Sequence, residues 1–238
     1  MRLHRFHVDN TVDPNRDNRL VDTSVVHQIR RVFRLQSSDK AIFFDGSGTD
    51  YEAEIVSMDK DSITFRVIAM RKIERHSVRK VALAVSLIRK DNFEWVVQKG
   101  TELGVSEFIP LVSDRSEKKG LNMERARTIM IEACEQSGRG DIPVIREPMS
   151  LKDFLAGEKR YILAFHTDAT INGAVADFSP KNLPKAGEII ACIGPEGGWT
   201  DDEVELFKSK GASIARLDAP TLRAETAAIA VATLLLLV

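Results

Sequence analysis

The strongest chemical signal in the chain is the run Ile193-Gly194-Pro195-Glu196-Gly197-Gly198-Trp199-Thr200. Glycines let a backbone approach a guest closely and turn its N–H groups toward it. A plain strand-to-helix turn needs one glycine or two, so three of them with a proline and a carboxylate exceed what a turn requires. The spacing is neither the G-x-G-x-x-G of a dinucleotide site nor a loop ending in G-K-[ST]. With Glu196 present and no lysine, a polyanionic phosphate is a poor guest. A second run is Leu217-Asp218-Ala219-Pro220-Thr221-Leu222-Arg223-Ala224-Glu225-Thr226-Ala227. Glu225 suits the positive end of a helix, but the macrodipole disfavours Arg223 there, which suggests that Arg223 serves a ligand or a partner. A third cluster, Ala133-Cys134-Glu135-Gln136-Ser137-Gly138-Arg139, is explained as well by a solvated helix end with a glycine stop. His4 and His7 could share a face, but no third ligand lies nearby, so no metal is expected. No G-x-S-x-G elbow identifies a nucleophile.

Both glycine- and proline-bearing runs need a strand before them and a helix after them, and the periodicity supplies both. Tyr161 to Phe165 and Ile189 to Ile193 are short apolar strands of the kind a covered parallel sheet requires. Thr200-Asp201-Asp202-Glu203 is a capping box that opens a helix closed by Gly211. Ile214 to Leu217 is a strand, and an apolar helix starts near Arg223. Upstream, Val81 to Ile88 and Glu107 to Val112 are strands. Asn92 to Leu103 and Met123 to Ser137 are helices stopped by Gly104 and Gly138. This alternation predicts an α/β domain over 73–238 with a parallel sheet. Residues 1–72 differ. Ala41 to Phe44, Asp45-Gly46-Ser47-Gly48 and Tyr51 to Val56 form a hairpin with Tyr51, Ala53 and Ile55 on one face. Ile63 to Ile68 is a further strand. Val25, Ile29, Val32 and Phe33 recur at helical spacing within Ser24 to Leu35. A small β-barrel or sandwich carrying one short helix follows.

The composition is that of a globular protein. Of 238 residues, 43% are hydrophobic and 29% charged, and 34 Lys plus Arg balance 35 Asp plus Glu to a net charge of −1. That excludes a chain basic throughout, but not a local basic face. Two cysteines, Cys134 and Cys192, cannot build a disulfide framework and suit a reducing cytoplasm. The opening MRLHRFHVDN has no apolar signal-peptide core. Ala227 to Val238 is apolar but falls short of the ~20 residues that span a bilayer, so it is expected to be a buried helix and not a membrane span.

The motifs IGPEGGWT and LRAETA together closely resemble those of the RsmE family, the uridine N3-methyltransferases of small-subunit ribosomal RNA, in the SPOUT class. RVFRLQSSDKAIFFDGSGTDYEAEI, QKGTELGVSEFIPLVSDRS and ACEQSGRGDIPVI also come in the family's order, so the resemblance covers nearly the whole chain. It departs from the family's pattern at Asp218, where glycine is usual, and at Thr221, where a bulky aliphatic is usual.

The resemblance implies a PUA-like β-barrel for RNA at the N-terminus and a trefoil-knotted SPOUT domain after it. It implies S-adenosyl-L-methionine as cofactor, held by Phe165, His166, Ile193, Gly194, Pro195, Glu196, Gly197, Gly198, Leu217, Leu222, Arg223, Glu225 and Thr226. It makes Arg223, Glu196 and Glu225 the catalytic candidates: Arg223 for the anion developing on uracil, and either glutamate to take the N3 proton or orient the cofactor. Arg2, Arg5, Arg30, Arg31, Arg34, Arg115 and Arg139 are candidate phosphate contacts, which position an RNA without reading its sequence. The expected partners are 16S ribosomal RNA or the small ribosomal subunit, and a second copy of the chain. Two alternatives remain. A SPOUT ribose 2′-O-methyltransferase is disfavoured because the last loop reads TLRAET and not serine–leucine–asparagine. A non-catalytic RNA-binding adaptor is disfavoured by the intact glycine loop.

Overall fold

The structure is a computed structural model that describes residues 3–73, 79–116, 120–167, 176–177, 183 and 187–238. The chain divides into two compact units. One comprises Met1–Glu74 and Ile131–Ile142, the other Arg75–Met130 and Pro143–Val238. The segment 131–142, which the sequence pattern groups with the second domain, therefore packs with the first.

The N-terminal unit is a five-stranded mixed sheet in the order β1-β3-β4-β5-β2. Its strands are β1 (Arg5–His7), β2 (Asp17–Leu20), β3 (Lys40–Phe44), β4 (Thr49–Met58) and β5 (Ile63–Lys72). The β3–β4 turn uses Gly46 and Gly48 at φ of 82° and 85°, which side chains avoid. Tyr51, Ala53 and Ile55 all point inward, as their alternation predicts. The stacked rings of Phe43 and Phe65, 3.9 Å apart, fill the core with Phe6, Ile29 and Ile63.

Helix α1 (Thr23–His27) is capped by the Asp22 carboxylate, which accepts from the amides of Ser24 and Val25. It runs into a π-helical turn over Gln28–Val32, in which Phe33 N–H donates to the Gln28 carbonyl five residues back. This corrects the expected stripe. The wider turn leaves Val32 63% exposed, while Val26 and Ile29 are buried.

The C-terminal unit carries a parallel sheet in the order β11-β13-β10-β12-β6-β7-β8, with β9 also alongside β7. The central strands are β6 (Lys80–Ser86), β7 (Glu107–Val112), β10 (Tyr161–Phe165), β12 (Glu188–Ile193) and β13 (Ser213–Arg216). The outer pieces β8 (Val144–Ile145), β9 (Met149–Ser150) and β11 (Ala176–Asp177) are two residues each. Helices α2 (Lys90–Leu103) and α6 (Ala224–Leu237) pack on each other, and α6 covers β6 and β12. Helices α4 (Leu151–Gly157) and α5 (Asp201–Ser209) bury Phe154, Leu155, Val204 and Phe207 against Ala82, Ala84, Ile190 and Cys192 of the sheet. Helices on both faces explain why the central strands are apolar throughout instead of alternating. Helix α3 (Met123–Ser137) begins in this unit, and its second half belongs to the first. Among the described residues no helix is long and apolar enough to cross a membrane.

Candidate functional site

Strand β10 lies between β12 and β13, all three parallel, so their following loops emerge side by side at the carboxyl edge of the sheet. Ligands collect at such edges in α/β sheets. Here the loops enclose a cavity of about 420 Å³. That falls within the ~300–1,000 Å³ usual for small-molecule sites. One wall is Phe165, His166 and Thr167. The second is Ile193 to Trp199. The third is Arg216, Leu217, Ala219 to Ala224, and Ala227.

The walls are held by specific bonds. His166 N–H continues the β10–β13 pairing by donating to the Ala215 carbonyl at 2.9 Å. The buried Trp199 indole donates to the Phe165 carbonyl at 3.1 Å and packs edge-on against Phe207, with centroids 5.0 Å apart. A Cβ on Gly194 would stand 3.2 Å from that indole, so the tryptophan is what requires glycine there. Gly198 turns the chain at φ +69°, its N–H donating to the Pro195 carbonyl at 2.8 Å. The Thr200–Glu203 capping box then starts α5, with the Thr200 hydroxyl accepting from Glu203 N–H and the Glu203 carboxylate accepting from Thr200 N–H.

Of the expected cofactor contacts, Phe165, His166, Ile193, Gly194, Pro195, Glu196, Gly197, Gly198, Leu217, Leu222 and Arg223 line this cavity. Glu225 and Thr226 do not, and helical phase explains it. Ala224 and Ala227, three residues apart, share the face of α6 that meets the cavity. Thr226 is exposed, and Oε2 of Glu225 is buried with no hydrogen-bond partner among the described residues. Residue type and loop position alone do not single out Thr167 or Arg216. Trp199 is inside the motif, and its indole N–H was the available signal, because a buried indole usually finds an acceptor.

The arginines separate into three groups. Arg31 and Arg34 are exposed on the N-terminal unit, Arg34 at φ +56°. Arg30 there donates to the carbonyls of Asp59 and Lys60 at 2.8 and 2.9 Å. Arg5 and Arg139 are engaged within the N-terminal unit. Arg5 is 8% exposed, paired to Asp50 at 2.6 Å, and lies 4.8 Å from the Phe44 ring centroid. Burial works against both charges, lowering Arg5 and raising Asp50, and their contact offsets only part of it. Arg139 grips Asp141 through two bonds of 3.1 and 3.0 Å, with 9% of its side chain exposed. Neither guanidinium faces outward to meet a phosphate. Arg115, in the C-terminal unit, is exposed but donates to the Gly197 carbonyl at 2.7 Å. Arg2 lies outside the described residues.

Burial pushes the Cys134 thiol up to about 12 and the Cys192 thiol further, so neither is a thiolate nucleophile at neutral pH. Among the described residues no three His, Cys, Asp or Glu are grouped to hold a metal.

Residues 74–236 match the RNA methyltransferase domain family, and residues 21–68 match the RNA methyltransferase PUA domain family. The chain is 30% identical over 230 residues to the ribosomal RNA small subunit methyltransferase E of Rickettsia conorii, covering 96% of this chain and 93% of that one. The chain belongs to the ribosomal RNA small subunit methyltransferase E family. The Bacillus subtilis member is 32% identical over 212 residues, 85% of this chain and 83% of its own. The Neisseria gonorrhoeae member, crystallised bound to S-adenosyl methionine, superposes with a TM-score of 0.85 at 25% identity, covering 98% of this chain and 96% of that one. A Legionella pneumophila methyltransferase in complex with the same cofactor gives a TM-score of 0.87 at 28% identity over 99% and 97%. In this family member, the two loops with the strongest chemical signal form two of the three cavity walls.

Proposed function

We propose that this chain transfers a methyl group from S-adenosyl-L-methionine to N3 of a uridine in 16S ribosomal RNA. The observation that carries this is the cavity at the carboxyl ends of β10, β12 and β13 in a chain of this family. Its residues fit the cofactor. Phe165, Ile193, Leu217, Leu222 and Ala227 offer apolar surface for a planar base, and the glycine loop offers main-chain donors and acceptors for the polar edges. When bound, S-adenosyl-L-methionine supplies an activated methyl group.

The chain's own residues must orient the base and manage charge. Uridine N3 carries a proton and is engaged in pairing in a duplex, so the substrate base is unpaired or extruded. Arg223 is exposed on the cavity wall and suits the charge that develops on the uracil as N3 gives up its proton. Glu196, exposed on the same wall, is the candidate acceptor of that proton. Glu225 is given no proton-transfer role, because it does not line the cavity. Arg31 and Arg34 are the candidate phosphate contacts of the PUA domain. The trefoil knot, a cytoplasmic location and a homodimer belong to the same proposal. The dimer is supported by α6, which leaves Leu237 60% exposed at the end of an apolar helix.

Mass spectrometry of 16S ribosomal RNA nucleosides from cells lacking the protein tests this. N3-methyluridine should be missing and should return on incubation with the purified chain and cofactor. A ribose-methylated nucleoside missing in its place would overturn it.

A further inference from the structure

We infer that Arg115 is a positioning residue for the glycine loop, and that its stem disfavours a side chain at position 197. The inference rests on the proposed function for the identity of the cavity's guest.

Arg115 sits in the loop after β7, not on the cavity wall. That loop is pinned from two sides. The Ser113 hydroxyl donates to the Ser86 hydroxyl at 2.9 Å, and Ser113 N–H donates to the Ser116 hydroxyl at 3.1 Å. The Glu203 carboxylate, only 6% exposed, accepts from Asp114 N–H through one oxygen and from Thr200 N–H through the other, both at 2.9 Å. A capping-box glutamate needs only the second of these bonds. The first ties the β7 loop to the end of the glycine loop. Thr200 adds a 3.3 Å bond from its hydroxyl to the Asp114 carboxylate.

Held this way, Arg115 lies along the outside of the glycine loop. Its Nη1 donates to the Gly197 carbonyl at 2.7 Å, and a Cβ on Gly197 would stand 3.1 Å from its Cδ. Gly198 needs glycine for its positive φ, but the φ of Gly197 lies outside the left-handed region. Conformation therefore does not demand glycine at 197. The arginine stem crowds a side chain there, and the guanidinium in return holds the carbonyl. This gives Arg115 a different task from gripping a phosphate.

The test compares the wild type with Arg115→Ala, Arg115→Lys, Gly197→Ala and the double variant Arg115→Ala/Gly197→Ala. Calorimetric titration with S-adenosyl-L-methionine should show about tenfold weaker binding for Arg115→Ala, with Lys, which keeps reach and a donor, recovering most of it. Gly197→Ala should weaken binding in the wild-type background and much less once the arginine stem is gone. The salt slope of 16S ribosomal RNA binding should be the same for Arg115→Ala as for wild type. Wild-type cofactor affinity in Arg115→Ala overturns the inference, and so does an equal cost of Gly197→Ala in both backgrounds. A salt slope shallower by ~0.7–0.9 with unchanged cofactor affinity would make Arg115 a phosphate contact instead. If the wild type itself does not bind S-adenosyl-L-methionine, the proposed function fails. The coupling between Gly197 and Arg115 is then judged from urea midpoints of the wild type, Arg115→Ala, Gly197→Ala and the double variant, where additivity overturns it.

Discussion

The indole Nε1 of Trp199 donates a 3.1 Å hydrogen bond to the main-chain carbonyl of Phe165, linking the loop after β12 to the end of β10. Both residues are buried, at 3% and 8% exposure. The glycine loop thus hangs from the neighbouring strand by its own tryptophan. Trp199→Phe keeps an aromatic ring against Phe207 and removes only this donor and the smaller ring. It should cost about 1–2 kcal/mol in urea unfolding and loosen S-adenosyl-L-methionine binding several-fold by calorimetry. Unchanged values on both measurements would show that the bond does not hold the wall.

Gly100 lies inside α2, where propensity alone says that alanine should be better by ~1 kcal/mol. Packing says the opposite. A Cβ there would stand 2.7 Å from Cε1 of the buried Phe108 ring. Gly100→Ala should therefore destabilise by about 1–3 kcal/mol in urea, and Phe108→Leu in the same chain should return part of the loss. A stabilised Gly100→Ala would show that the ring moves aside freely.

The sequence pattern located the cavity loops because each follows a short apolar strand and precedes a capped or apolar helix, and that alternation survives in the single chain. It located less well whatever depends on distant partners. Strands β8, β9 and β11 are two residues each and carry no period to detect. Helix α4 is seven residues, signalled only by Ser150 accepting from Asp153 N–H. Arg5 looks like a surface charge until β4 brings Asp50 to it. Glu225 and Thr226 look like site residues until the phase of α6 is fixed by Ala224 and Ala227. The π-turn that exposes Val32 has no distinct spacing at all.

Acid should weaken the fold at the sheet edge opposite the cavity. Hydrogen bonds from the Arg160 guanidinium, at 2.7 and 2.9 Å, hold the Glu158 carboxyl down to about 2 against an ordinary 4.5. Arg160 also reaches Glu107 at 2.6 Å. A carboxyl depressed on folding contributes its stability above the unfolded value and loses it as pH falls through the folded one. The contribution should be complete above pH ~4.5 and fade toward about 2, amounting to about 1–3 kcal/mol for a largely buried carboxylate. Glu158→Gln should lower the urea midpoint at pH 6 and flatten its fall between pH 5 and 3. A slope identical to wild type would assign the acid sensitivity elsewhere.

Helix α6 is apolar on nearly every side, and the sheet and α2 together leave Leu237 at its end 60% exposed. The chain should run as a dimer by light scattering at micromolar concentration. A monomeric mass would remove the dimer from the proposed function.

Arg223 and the exposed pair Arg31 and Arg34 should separate chemistry from positioning. Arg223 is on the cavity wall, so Arg223→Ala should slow methyl transfer at saturating RNA by about 10²–10³ and leave RNA affinity nearly unchanged, as for an electrostatic contact made mainly in the transition state. Arg31 and Arg34 are on the N-terminal unit and point to solvent. Arg30 is left intact, since it already serves the Asp59 and Lys60 carbonyls. Position 34 is changed to asparagine, which tolerates its φ of +56° better than alanine does. The pair Arg31→Ala/Arg34→Asn should lower RNA affinity and make the plot of log affinity against log salt shallower by about 0.7–0.9 per lost contact, with turnover at saturating RNA preserved. Single-turnover methylation at several salt concentrations reads both variants. If Arg223→Ala weakens RNA binding at normal turnover, Arg223 grips a phosphate and another group must stabilise the uracil. If the pair binds RNA with an unchanged slope, the π-turn and its flank do not form the RNA face.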